Sequence, residues 1–495
     1  MSKIIIQNGN MCELDLPLKF AQKLYNEFAI RHPNAFYLRT RQRGMQNWDG
    51  KIHYITKTGQ FKIGLLPKVY DMCIEMGIKP KVVDMRQPLP KVSKVVTNIG
   101  KYKLRPEQEK AVKAVINNKI GNTPFHIGVL DYTVNAGKTL IMSSLYLSYK
   151  KQLKTLLITN DSDWLNQARE EFKQYLPGED ITFVQGKVLN WSNFTIGMVQ
   201  SISRNMRFYQ KELSQIDMVL IDEADQGGSK QYQNVITRLF NTRIRIGLSG
   251  TIYMSKLAKD KVKNMNLECF FGKVIAEFKL KDSIKKGYST KTIVKMVPGK
   301  PWYGNWESDC ISYKEIYDDS ITENNTAWTM AYNRLRWNIN QGRYPALVVC
   351  KHIAHCENLY KFFKKKLGYA YNIAYVHVNT SSKLRQQIMK DFREGKIDIL
   401  VSTTIIARGK NFPKLRYLLN AASMDSQEKS IQFLGRLVRT DESKNKVYLD
   451  DLHYPGNYLD RHGKHRKQYY QRQELKVILL DKLWKKHPNH SLIKS

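Results

Sequence analysis

Residues 131–150 read DYTVNAGKTLIMSSLYLSYK, and residues 218–225 read MVLIDEAD. In the first stretch Ala136, Gly137, Lys138 and Thr139 open a helical pattern. A loop of this kind wraps phosphates in backbone N–H groups, with Lys138 reaching the β and γ oxygens and the Thr139 hydroxyl available to Mg²⁺. G-K-T alone is a short signal, and Tyr132 stands where a phosphate loop of this class usually has Gly or Ala. The second stretch supplies what the first lacks. Asp222 and Glu223 follow an apolar strand eighty-four residues after Lys138, at the carboxyl end where an acid reaches the metal of a parallel-sheet nucleotide site. Asp222 is expected to hold Mg²⁺, and Glu223 to orient and deprotonate the attacking water.

Outward from this pair the pattern is one of buried parallel strands. TLLIT (155–159), MVLID (218–222), ALVVC (346–350) and DILVST (398–403) are short, continuous apolar runs separated by helical periods. LRPEQEKAV (104–112) places Arg105 and Gln108 ahead of the loop, where a glutamine can read an adenine edge. GLSGT (247–251) offers Ser249 and Thr251, and VSTTIIARGKNF (401–412) offers Thr403 and Arg408. IQFLGRLVR (431–439) sets Gln432, Arg436 and Arg439 in a Q-x-x-G-R-x-x-R pattern, its arginines three apart on one helical face and able to meet developing phosphoryl charge.

Composition sets the partner class. The 495 residues carry 81 Lys+Arg against 44 Asp+Glu, a net charge of +37, with 42% hydrophobic residues. A wholly disordered basic tail is excluded by that core content, and a polyanion is expected as partner, with an anionic membrane surface the weaker alternative. The first hundred residues carry +9, little above the chain average, so the charge is spread over several domains. No C-x-x-C spacing occurs among the six cysteines, and no apolar run approaches the ~18 residues of a membrane span. The expectation is a soluble, cytoplasmic protein.

The first ~95 residues look like a small α+β unit. LKFAQKLYNEFAI and LLPKVYDMCIEMG are helix candidates, whereas AFYLRTRQRGMQNWDGKIHYI is expected to form two strands around a turn at Asn47–Gly50. On such a strand Tyr37, Arg39, Arg41 and Arg43 share a face suited to phosphates and stacking, with Trp48 either a stacking wedge or a turn anchor. The proline-containing stretch KPKVVDMRQPLPKVSK is expected to be a linker. RHGKHRKQYYQRQELK (461–476) is expected to be a basic helix lying over nucleic acid.

Taken in order, the motifs of residues 100–445 resemble the superfamily 2 helicases. Asn47-Trp48-Asp49-Gly50, SGT and FFGKVIAEFKLKDSIKKGY (270–288) are similar to the UvsW-like recombination helicases of tailed bacteriophages. The DEAD tetrapeptide at 222–225 does not make the chain a DEAD-box RNA helicase, because TNDSDWLNQ, LSGT and IQFLGRLVR depart from that group's patterns. The resemblance implies an α/β fold of two RecA-like parallel-sheet lobes behind a small α+β nucleic-acid-binding domain. It divides the chain into 1–95, a first lobe at 96–288, a linker at 289–325, a second lobe at 326–450 and a basic helical segment at 451–495. It also implies ATP and Mg²⁺, closure of a cleft between lobes, and branched DNA as substrate: forks, junctions and R-loops with their RNA:DNA hybrids, in the host cytoplasm of a phage. Two other readings stay open. One is an RNA helicase, the other a non-motor binding or annealing protein with a vestigial ATP site.

Overall fold

A computed structural model describes residues 2–41, 45, 47–149, 152–186, 188–253, 260–299, 312–407, 412–425, 430, 433–435, 437–442 and 444–480. Two compact units emerge, Met1–Phe278 and Lys279–Ser495.

The first unit begins with a four-stranded sheet. β1 (Lys3–Ile6) pairs antiparallel with β2 (Met11–Asp15), which pairs antiparallel with β3 (Gln60–Lys62). β4 (Lys81–Asp84) lies parallel to β1, with Ile4 opposite Val82. Helices α1 (Leu18–Glu27) and α3 (Leu66–Glu75) occupy the two stretches whose apolar residues recur at helical spacing, and Leu24, Val69 and Cys73 are buried among the core residues.

Three expectations for this region are corrected. Residues Ala35–Arg41 form a helix, α2, and no strand. Only Ala35 of it is buried, so the alternation of Tyr37, Arg39 and Arg41 reflects no two-sided burial; a helix instead brings positions four apart together, and Arg41 lies 5.0 Å over the Tyr37 ring. Arg43 falls outside the described residues. The strand at Lys51–His53 pairs with Ala29–Arg31, upstream of α2. KVVD in the expected linker is β4, held because Val82 fills the sheet's core.

The remainder of the first unit is an eight-stranded sheet. Its central strands are β5 (His126–Tyr132), β6 (Thr155–Thr159), β7 (Phe194–Met198), β8 (Met218–Asp222) and β9 (Ile244–Ser249), parallel in the order β7-β6-β8-β9-β5 and buried throughout. β10 (Val274–Phe278) closes one side against β5. The small sheet is fastened to this one by a buried cation. Arg245 of β9, fully buried, donates to Gly9 O, Asn10 Oδ1 and Phe270 O. Burial lowers its pKa to about 9, and the charge of Arg86 adds to this.

The second unit holds a seven-stranded parallel sheet. β12 (Ala346–Cys350), β14 (Ile399–Thr403) and β15 (Tyr417–Asn420) are buried throughout. With β11 (Lys291–Pro298), β13 (Ile373–Val376), β16 (Lys446–His453) and β17 (Lys476–Leu479), the order is β13-β14-β12-β15-β16-β11-β17. The expected linker at 289–325 is therefore corrected: β11 sits between two strands of the sheet, its Thr292, Val294 and Met296 facing the core. Most of the Pro/Gly/Trp run beside it lies outside the described residues.

The helix expected near the carboxyl end is present, and one of its faces is packed inward. Helix α6 (Asn457–Arg472) is packed into the second unit through Arg466, which is fully buried and bonds both oxygens of Asp451, itself fully buried. His462, Tyr469 and Tyr470 are buried with it, and β17 extends the sheet beyond. One face of this helix is core, with charge placed inside it, while Arg461 and Lys464 are exposed on the other.

Candidate active site

The phosphate loop runs from the end of β5 into the helix Lys138–Ser148, here α4. Asn135 and Gly137 adopt positive φ, 70° and 72°, and Gly137 is the residue before the helix. Gly137 cannot be replaced cheaply, because its φ of 72° strains any L side chain, and a Cβ there would also displace the end of the Gln108 side chain. Gln108 lies in the helix Pro106–Ile116, where its carbonyl accepts from Arg105 N at 2.8 Å and its amide donates to Ala136 O at 2.8 Å. Both ends of this amide hold the loop in shape, a task its sequence position alone did not announce. Tyr132 fits for a comparable reason: buried, it donates its hydroxyl to Glu107 O at 2.8 Å, tying the loop's start to the same helix.

Opposite the loop stands a carboxylate cluster. Asp222 ends β8, and Glu223 follows in a left-handed conformation with φ 53° and ψ 50°, uncommon for a non-glycine residue and found at sites that aim a side chain. Burial and the neighbouring Asp225 and Asp161 raise the Asp222 carboxyl, and Lys138 opposes them. Burial, then Asp222, Asp225 and Asp161, push Glu223 up to about 8. Lys138, at the start of α4, thus lies near the acids at the same carboxyl edge of the sheet, as phosphate chemistry requires. Asp222 Oδ1 is buried and makes no hydrogen bond among the described residues, an oriented lone pair suited to a hard divalent cation. Thr139 stands at the first turn of α4. Asp222 and Thr139 together fit Mg²⁺ held with substrate phosphates.

A third strand end joins the cluster. Ser249 Oγ donates to Asp225 Oδ1 at 2.7 Å and lies 3.1 Å from Thr251 Oγ1, while Thr251 N donates to Ser249 Oγ. A Cβ at Gly250 would stand 3.0 Å from Tyr132 O and Thr133 Cα, so this turn packs on the start of the phosphate loop. Asp161, Asp225 and Tyr232 were not singled out in the sequence. Asp161 follows the TLLIT strand by two positions, which was the available signal; Tyr232, whose hydroxyl is raised by burial and by Glu223 and Asp222, carries none.

The remaining expected residues are less gathered. Thr403 ends β14 and is buried. Arg439 accepts a hydrogen bond from Thr290 Oγ1 at its carbonyl, 3.1 Å. Arg408, Gln432 and Arg436 lie outside the described residues. Arg39 and Arg41 are exposed on α2. Trp48 is a turn anchor: its Nε1 donates to Lys51 O at 2.8 Å and its ring meets His32 edge-on. Asp49 caps the same turn through Lys51 N and His53, which stacks on Tyr25 at 4.0 Å.

Comparison with known proteins agrees with this layout. Residues 101–254 match the family model "Type III restriction enzyme, res subunit", and 331–441 match "Helicase conserved C-terminal domain", between them more than half of the chain. A helicase 22 of a Sulfolobus islandicus filamentous virus is 23% identical over 71% of this chain and 64% of its own length. The chain thus spans somewhat under two thirds of that relative. Among solved structures, a fragment of an HsdR subunit of a type I restriction enzyme from Vibrio vulnificus shares the fold at a TM-score of 0.55 and 15% identity, over 76% of this chain and 67% of that one. Saccharomyces cerevisiae Dbp5, solved with RNA, gives 0.51 and 14%, over 76% and 90%. UvsW of bacteriophage T4 gives 0.44 and 19%, over 97% and 98%. No helix among the described residues is long and apolar enough to cross a membrane. With both conserved halves present in order, the chain belongs to the superfamily 2 helicases.

Proposed function

We propose that this chain is an ATP-dependent DNA helicase or translocase that works on branched DNA, including forks, junctions and R-loops. The observation carrying the ATP reading is the facing of Lys138 by Asp222 and Glu223 across a phosphate loop already locked by Gln108. Lys138 and the loop's N–H groups bind the β and γ phosphates. Asp222 and Thr139 would hold Mg²⁺, which would supply positive charge beside the transferring phosphoryl group. Glu223 accepts a proton from water, which it does in its ionised form. Arg436 and Arg439 are assigned the remaining transition-state charge from their motif. Ser249 and Thr251 read the state of the acid cluster through Asp225 and pass it on.

The DNA part of the reading is supported by the UvsW-like sequence elements, while the charge of +37 favours a phosphate backbone of either kind. Arg39, Arg41 and Arg43, with Thr403 and Arg408, are the proposed backbone contacts. Such contacts carry little base information, so low sequence specificity is expected. The test is ATPase stimulation and unwinding across single-stranded DNA, forks, four-way junctions, R-loops and duplex RNA. Stimulation by DNA with unwinding of branched substrates is expected; stimulation by RNA alone defeats the DNA reading. Unwinding that persists in Lys138→Ala defeats the motor reading and leaves a binding protein.

A further inference from the structure

Away from the expected motifs, one face of the second sheet gathers cations around an exposed ring. Trp337, 43% exposed, lies on the helix Asn325–Ile339, α5, which precedes β12. Lys295 of β11 stands 4.7 Å from the ring centroid, Arg343 at 4.8 Å and Arg334 at 5.1 Å. Arg343 also lies 3.6 Å over Tyr448 of β16. The acid that meets this group among the described residues is Asp450, fully buried and engaged by Arg334 at 2.6 Å, with Asn338 and Tyr417 on the same oxygen. Arg334 is thereby neutralised, whereas Lys295 and Arg343 have no ion pair among the described residues. Burial lowers the Lys295 ammonium; Asp450 offsets this in part, and Arg334 and Arg343 add to it.

Holding like charges together in partly dry surroundings is unfavourable unless an anion completes the group. The strand register extends the row. Ile293 of β11 is opposite both Tyr448 and Lys476, and Lys291 is opposite Lys446, so these lysines lie on the same sheet face as Lys295. Arg343 lies three residues before β12 begins, which puts the group toward the edge where strands start. Thr403, at the end of its strand, belongs to the opposite edge.

We infer that this face is a second nucleic-acid site for a single strand, in which a base stacks on Trp337 and phosphates sit on Lys295 and Arg343. The cations lie over part of the Trp337 ring, so a base would take the ring surface that stays exposed; an exposed aromatic beside cations binds single strands without reading sequence. The site gives a displaced strand a place apart from the one the motor grips, and it rests on the nucleic-acid reading above. The full chain is tested with single-stranded oligonucleotides carrying 5-bromouracil, irradiated and mapped by mass spectrometry. A cross-link to Trp337 is expected. Lys295→Gln with Arg343→Gln is expected to weaken binding about tenfold, on the scale of one lost stacking-and-phosphate position, with ATP turnover in the absence of nucleic acid unchanged. Lys295→Gln alone removes a repelled charge, so its melting temperature should not fall, and it serves if the double variant does not fold. Wild-type affinity in these variants, with cross-links that miss Trp337, overturns this site and leaves the motor reading standing. A wild-type chain that binds no strand overturns both.

Discussion

Glu223→Gln separates the electrostatics of the acid cluster from its chemistry. The Glu223 carboxyl is raised from 4.5 to about 8, first by burial and then by Asp222, Asp225 and Asp161. A raised acid keeps its proton in the folded chain while the unfolded chain loses it. Stability therefore falls as pH climbs from about 4.5 to about 8 and levels off above. One pH unit corresponds to about 1.4 kcal/mol, so the shift sets a ceiling of about 5 kcal/mol. Neighbouring carboxylates share the repulsion, and an effect of about half that ceiling is the working figure. Glutamine has the same shape and no charge. At pH 5 variant and wild type should melt together; at pH 8.5, without nucleotide or Mg²⁺, the variant should melt higher by roughly 5 °C. Thermal unfolding of both proteins across this range is the assay. A difference that does not change with pH, or a variant less stable in base, refutes the argument and means that Glu223 is ionised at neutrality. The same titration bears on rate. Wild-type turnover should rise with pH along a limb that Mg²⁺ moves below 8, since the cation favours the carboxylate, and Glu223→Gln should show no turnover at any pH.

Ser249→Ala deletes the 2.7 Å bond to Asp225; basal ATP turnover should stay within a few-fold while unwinding per ATP falls at least tenfold in a coupled assay. Gly137→Ala places a Cβ at φ 72° against Gln108, so ATP binding measured by calorimetry should be lost, with about 1–3 kcal/mol of strain if the loop holds. Arg466→Met leaves Asp451 charged and buried. It should cost about 3–5 kcal/mol in the second unit, seen as an early unfolding step, and Asp451→Leu in the same chain should restore part of it.

Whether a feature was legible in the sequence depended on how local its physics is. A buried parallel strand announces itself in five residues, because both faces must be apolar; MVLID and ALVVC are such strands at the expected positions. Lys138, Asp222 and Glu223 sit at strand and helix ends that the same periodicity fixes, and the structure brings them near one another. What failed was whatever only a distant partner decides. Arg39 and Arg41 alternate like a strand, yet the partner for Lys51–His53 lies upstream at Ala29–Arg31, which leaves 35–41 free to wind. Charge was the more misleading guide. Arg466 and Arg245 count toward the +37 that points to nucleic acid, but both are fully buried and hold the fold together. Arg334 is consumed by Asp450. Net charge can therefore name a class of partner without locating it. The cations proposed to locate it, Lys295 and Arg343 beside an exposed Trp337, have no ion pair with a carboxylate among the described residues. That distinction is invisible in a sequence, where a paired arginine and an unpaired one are the same letter.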